Sequence, residues 1–217
     1  MKPSHIIIGL VIIIQSCEDN KAKVEYGVQM DSLPAPKIDS TILIEQNKAI
    51  GEIKFGISEK QFDKEKEVFD KKNEVPAWEG STAKTHKIGA YEYTWLNGYF
   101  NNDNLYKIMF QGGFIKYDDY DRDMSTPYYA LLNMLKTKYG SPSIDRGLPS
   151  WTQIDKDYFQ RCAEWTIGNR TIELRIHCHG TYYSLDLVSF KPEVEMRLQL
   201  IEDEKKKALQ EKGTKAL

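Results

Sequence analysis

The sequence has no apolar run approaching the ~20 residues that a membrane-spanning helix needs; the longest, Ile6 to Ile14, is nine residues. It has only three cysteines and four histidines. No CxxC or HExxH spacing occurs among them, so the common zinc motifs are excluded. There is no GxSxG elbow, no GxGxxG turn and no Walker loop, which removes sequence support for an acyl-transfer nucleophile, a dinucleotide site or a P-loop. One-sided charge is missing too. Thirty Lys and Arg stand against 32 Asp and Glu. Such a balance argues against a nucleic-acid binder, which concentrates basic residues on one face, and against a polybasic membrane patch.

The N-terminus is informative. Lys2 gives a short positive start, the Ile6–Ile14 run has the length of a signal-peptide core, and polar Gln15, Ser16, Glu18 and Asp19 end it. Ile14-Gln15-Ser16-Cys17 resembles the lipobox of bacterial lipoproteins: an aliphatic residue, a variable one, a small one, then the cysteine that is modified. The resemblance covers about 20 residues and implies a signal peptide over 1–16, cleavage before Cys17, and lipidation of Cys17. It also implies a place in the cell envelope, anchored to the outer membrane by lipid and facing either the periplasm or the surface. Two or more acyl chains hold such an anchor stably. Losing residues 1–16 removes only Lys2 among the charged residues, moving the net charge to −3.

Residues 17–38 read as a flexible tether, with Pro34 and Pro36 and no sustained period. A single α+β domain is expected over 39–191. Its first expected strands are Thr41–Ile44 and Ile50–Phe55. Ser58, with Gln61 three residues on, marks a capping box for a helix to about Lys72. Tyr91, Tyr93 and Trp95 fall at alternate positions and are expected on one strand face; Tyr106, Ile108 and Phe110 are expected on one face of its hairpin partner. Asn101 to Asn104 supply the turn. Ser125 or Thr126 is the expected cap of a second helix, which buries Tyr128, Leu131, Leu132, Leu135 and Tyr139 and stops at Gly140. Strands follow over 160–167, 170–178 and 182–190, with turns at Gly168-Asn169 and Gly180. From Pro192 a charged helix runs to 217. The class is therefore α+β: a mainly antiparallel sheet, two helices on one face, and a charged C-terminal helix. In element order this plan resembles small envelope lipoprotein domains, including tandem ones related to protease- or lactamase-inhibitor folds.

The chemistry-bearing candidates are few. With Cys17 assigned to lipid, Cys162 and Cys178 remain, and an oxidising compartment favours a disulfide between them. Strand phase places Cys178 with the inward Ile172, Leu174 and Ile176, but Cys162 on the polar face with His177 and His179, so a bulge would be needed to pair the thiols. A metal held by Cys162, His177 and His179 is the rival arrangement, though the spacing fits poorly and no metal or cofactor is expected. Asp119, Asp121 and Asp123 alternate as in calcium loops, but Met124 and Ala130 stand where an EF-hand needs Gly and Glu. Trp78 and Trp151 lie in Pro-containing loops and are the candidate anchors for a protein or carbohydrate partner; the competing expectation is that they fold back onto the sheet. A noncatalytic envelope binding or assembly protein is the leading expectation. The alternative is a small envelope hydrolase or sugar-processing enzyme, whose paired carboxylates would leave no local motif.

Overall fold

The computed structural model describes residues 40–76 and 85–215. Segment 1–16, Cys17, the expected tether and Trp78 lie outside the described residues. The chain is α+β, and it begins with two departures from expectation. Residues Ser40–Glu45 form a helical turn (α1) instead of a strand. A short apolar run does not distinguish helix from strand by period, and here Gln46 N–H bonds back to Ile42 C=O. The expected strand over Ile50–Phe55 is instead a tight hairpin of β1 (Lys48–Ile50) and β2 (Ile53–Lys54). Gly51, with φ at +52°, turns it where another residue would be strained.

The first long helix, α2 (Glu59–Asn73), starts where Ser58 Oγ accepts the Gln61 N–H. Only half the capping box forms, because the Gln61 side chain turns to Glu65. A second cap comes from afar: Asp103 Oδ1 accepts the Glu59 N–H at 3.0 Å. Then come β3 (Glu74–Val75), β4 (Thr85–Ile88), β5 (Tyr91–Asn101) and β6 (Asn104–Gly112). Asn102 and Asp103 make the β5–β6 turn with positive φ, as residues with short polar side chains can. After β7 (Ile115–Lys116) and a one-turn helix, α3 (Tyr120–Asp123), comes α4 (Ser125–Tyr139). Neither Ser125 nor Thr126 caps α4. Its first residues inherit the helical path of α3, with Met124 N–H on Tyr120 C=O and Tyr128 N–H on Met124 C=O. Gly140 ends it at φ +79°.

The remainder is β8 (Ile144–Asp145), β9 (Phe159–Ile167), β10 (Arg170–His179), β11 (Tyr182–Phe190) and α5 (Pro192–Lys215). One antiparallel sheet has the order β3-β4-β5-β6-β11-β10-β9-β8, with β7 also paired to β11. Its inner face carries Leu96, Ile108, Phe110, Leu174, Ile176, Leu185 and Leu187, all buried beneath Phe62 of α2 and Tyr128, Leu131 and Leu135 of α4. At Gly98 a Cβ would stand 2.8 Å from the Phe62 ring, so the absent side chain is what admits that phenyl group. No residue of α5 over 192–211 is buried; its first turn is tied down by Lys107 to Glu195 at 2.7 Å.

Three inserted residues reset the alternation of the strands. Tyr93 pairs with Gly112 and Trp95 with Gln111, so Thr94 is extra. Tyr91 and Tyr93 are inward and 1% exposed, whereas Trp95 faces outward and is 44% exposed. The expectation that these three aromatics share a face fails at that bulge. Tyr106 is extra between Leu105 and Lys107 and leaves the face of Ile108 and Phe110 to meet Glu195. Cys162 is extra between Arg161 and Ala163, which turns it from the polar face into the core. Burial there pushes its thiol up to about 12.

The Cys162 bulge supplies the phase a disulfide needs, yet Cys162 and Cys178 are free, buried thiols. Cys162 stands beside the Leu174–Arg175 step of β10, three to four residues from Cys178. At ~3.3 Å per residue that offset is roughly 10 Å or more, beyond the ~7 Å between Cα atoms that a disulfide tolerates.

Arg170 joins the N-terminal hairpin to the sheet. It is 1% exposed, donates to Ser189 Oγ at 2.9 Å and to the carbonyls of Glu45 and Ala49 at 3.1 and 2.9 Å, and lies over the Tyr139 ring. Replacing it strands these buried acceptors. Arg170→Met should lower unfolding free energy by about 3 kcal/mol; a urea titration that moves by under about 1 kcal/mol would show that the tie is dispensable.

Candidate functional site

The outer face of the sheet gathers what the sequence leaves scattered. Residues directly opposed on neighbouring strands share a face, and the register places Arg175, Asp186, Gln111 and Trp95 in one row across β10, β11, β6 and β5. Two residues along, His177 stands opposite Ser184; two further, His179 stands opposite Tyr182. Phe114, in the short loop after β6, completes a rim. Its ring centroid is 5.6 Å from Trp95, 6.1 Å from Tyr182 and 5.1 Å from His179. Phe114 and Tyr182 are 50% and 42% exposed, like Trp95. Three large rings are thus held in solvent beside a polar centre, though apolar side chains normally leave water.

The polar centre is internally bonded. Ser184 is fully buried and donates to Asp186 Oδ1 at 2.7 Å. His179 Nε2 lies 3.1 Å from Ser184 Oγ and 3.1 Å from the Gln111 amide. Ser184 gives its one proton to Asp186, while His179 Nε2 meets both Ser184 Oγ and the amide nitrogen of Gln111 and donates to the first or accepts from the second according to its tautomer. His177 stacks beside His179, with centroids 4.0 Å apart, and sets Nδ1 3.7 Å from Asp186 Oδ2. Burial first, and His177 second, hold the His179 imidazole below its ordinary value of 6.5, while Asp186 and Asp157 oppose this.

This arrangement is not a nucleophilic triad. The serine proton points to a carboxylate and away from an imidazole base, and the hydroxyl has no open side. Among the described residues Asp186 is the one carboxylate contacting the cluster. Beyond it, Glu173 is buried on the same face between Arg161, 2.9 Å from one carboxylate oxygen, and Arg175 on the other. The guanidinium of Arg175 lies over Phe159 at 4.1 Å. The combination offers ring faces for stacking and fixed polar edges for orientation, which is the composition of a recognition surface.

The sequence candidates fall elsewhere. Trp151 is half-buried and packs edge-on against Tyr117 at 4.6 Å; it covers the core. Cys162 is separated from His177 and His179 by its inward turn, so the three do not converge. Of the aspartates in the acidic loop, Asp119 and Asp123 are both taken by Arg122, at 2.8 and 2.7 Å. Trp95 was visible as a strand aromatic, but no signal in its own strand announced the bulge that exposes it. His177 and His179 lie on the polar face, as the alternation of their strand predicts.

No protein-family model matches the chain, and no curated protein or solved structure is significantly similar to it.

His179 makes a pH prediction. On unfolding, its imidazole regains the ordinary value, so between 6.5 and the lower folded value the unfolded chain binds more protons. Stability contributed by this group is complete above 6.5 and falls as pH falls below it. His179→Gln should flatten the decline in thermal midpoint between roughly pH 7 and pH 5; parallel curves for the two proteins would refute the assignment.

Proposed function

We propose that the protein is a lipid-anchored, noncatalytic binding protein of the bacterial cell envelope, and that it recognises its partner through the outer face of the sheet. The observation that carries this reading is the exposed triad of Trp95, Phe114 and Tyr182 around the bonded centre of His177, His179, Gln111 and Asp186. Rings tilted by 51° and 56° to Phe114 form a shallow cradle. A pyranose ring suits it, with C–H faces on the aromatics and hydroxyls at the polar edge, and the reading therefore favours a carbohydrate. The lipobox-like Ile14-Gln15-Ser16-Cys17 supports the anchor, and no described helix is long and apolar enough to cross a membrane. A glycoside hydrolase would use two carboxylates facing each other across a cleft, whereas the bonded centre of His177, His179, Gln111, Ser184 and Asp186 contains one acid.

Two measurements test the two halves. Cys17→Ala should abolish lipid attachment, read as the intact mass of membrane-extracted protein; a variant still acylated and membrane-bound would sink the anchor. Calorimetric titration with soluble cell-wall glycan chains should give binding that Trp95→Ala weakens by about ten-fold or more, with little change in stability because Trp95 is half in solvent. Glycan binding indifferent to Trp95→Ala and Tyr182→Ala would overturn the cradle as the recognition surface. A platform-dependent envelope protein, with no glycan bound, would replace the carbohydrate with a protein.

A further inference from the structure

The inner face of the sheet carries a second feature, independent of the aromatic cradle. α2 and α4 both lie on that face but barely touch one another. Between them runs an open groove of about 660 Å³. Its floor is Leu187, Ile88 and Leu135, its walls are Phe69 and Val68 of α2 and Met134 of α4, and the β1–β2 hairpin closes one end with Ile50 and Ile53. Val68 is 70% exposed. Leu135, Leu187 and Ile53 are buried, Phe69, Met134, Ile88 and Ile50 are half-buried, and a helix layer closed over the groove would have covered these and Val68 fully. The volume lies in the range of small-molecule sites, and flexible methionine suits a wall that must adapt to a chain.

The mouth is polar, with three lysines against two glutamates. Lys64 and Lys72 stand eight residues apart on α2, ~12 Å along the helix, and Lys138 lies across from them on α4. Lys64 and Lys72 make no ion pair among the described residues, whereas Lys138 pairs with Glu45 at 3.8 Å. Of the two acids at the mouth, Glu52 is paired with Lys48 at 3.8 Å, and Glu65 accepts from the Gln61 amide at 2.9 Å and keeps its charge. An apolar trough with unpaired ammonium groups along its edge is complementary to an apolar chain ending in an anion.

We propose that this groove binds a free long-chain fatty acid, with its alkyl chain along Phe69, Met134 and Leu187 and its carboxylate between Lys64 and Lys72. The site is separate from the cradle of the proposed function.

The test uses the full chain carrying Cys17→Ser, so that no attached lipid competes, with cis-parinarate as a fluorescent fatty-acid probe. Saturable one-to-one enhancement, displaced by oleate, is expected. Val68→Glu, at an already solvent-exposed position, should weaken binding by about ten-fold or more, and Met134→Gln should weaken it less. The Lys64→Ala/Lys72→Ala double variant should weaken parinarate while leaving displacement by oleyl alcohol unchanged. Trp95→Ala should have no effect, which keeps this result apart from the fate of the cradle. Absence of saturable binding overturns the proposal. So does full affinity in a folded Val68→Glu protein, or a lysine-independent preference for the alcohol. Self-association detected by sedimentation and abolished by Val68→Glu also overturns it, since a second copy would then be the groove's occupant.

Discussion

The phase of side-chain alternation along the strands governs this molecule. A strand sends successive side chains to opposite faces, so one inserted residue exchanges core and solvent for everything beyond it. Thr94, Tyr106 and Cys162 are such insertions. The first lets β5 bury Tyr91 and Tyr93 at one end and show Trp95 at the other. The second releases Tyr106 from the core row to meet Glu195 at the start of α5. The third withdraws a thiol from the polar face. Without these insertions the inner face would hold Trp95, and the outer face would lose the ring that borders Gln111.

That constraint also explains how much was legible beforehand. Regular periods were read correctly: the class, the helices over Glu59–Asn73 and Ser125–Tyr139, the turns at Asn102-Asp103, Gly168 and Gly180, and the inward run from Ile172 to Cys178. Each of those rests on a local rule with its own residue signature. The bulges do not, because nothing in Tyr-Thr-Trp distinguishes an extra residue from a paired one; the partner strand decides. α1 was misread for a related reason, since three consecutive aliphatic residues fit either period. Cys162 and Cys178 show the same gap from another side. Compartment, phase and the stagger along the ladder can be argued from sequence, but the bulge that turns Cys162 inward needs the register.

The candidate site was half visible. His177 and His179 stood out as alternating polar residues, and their shared face was inferred. Gln111 and Phe114 come from one other stretch of chain, Ser184 and Asp186 from a second, and they meet only because β11 lies between β6 and β10. That strand order places the hairpin of β5 and β6 beside the final strand, and it follows from covering both chain halves with one helix each. Arg170 then fixes the small N-terminal hairpin onto the same framework, which is why Ile50 and Ile53 can close the end of the groove between α2 and α4.

The sheet ends on each side in strands of two residues, β3 and β8. Unpaired backbone at an open edge is a template for adding another chain, and the hazard grows with local concentration. Edge strands of two residues give an added chain little ladder to extend, which favours the broad faces over those two rims for encounter.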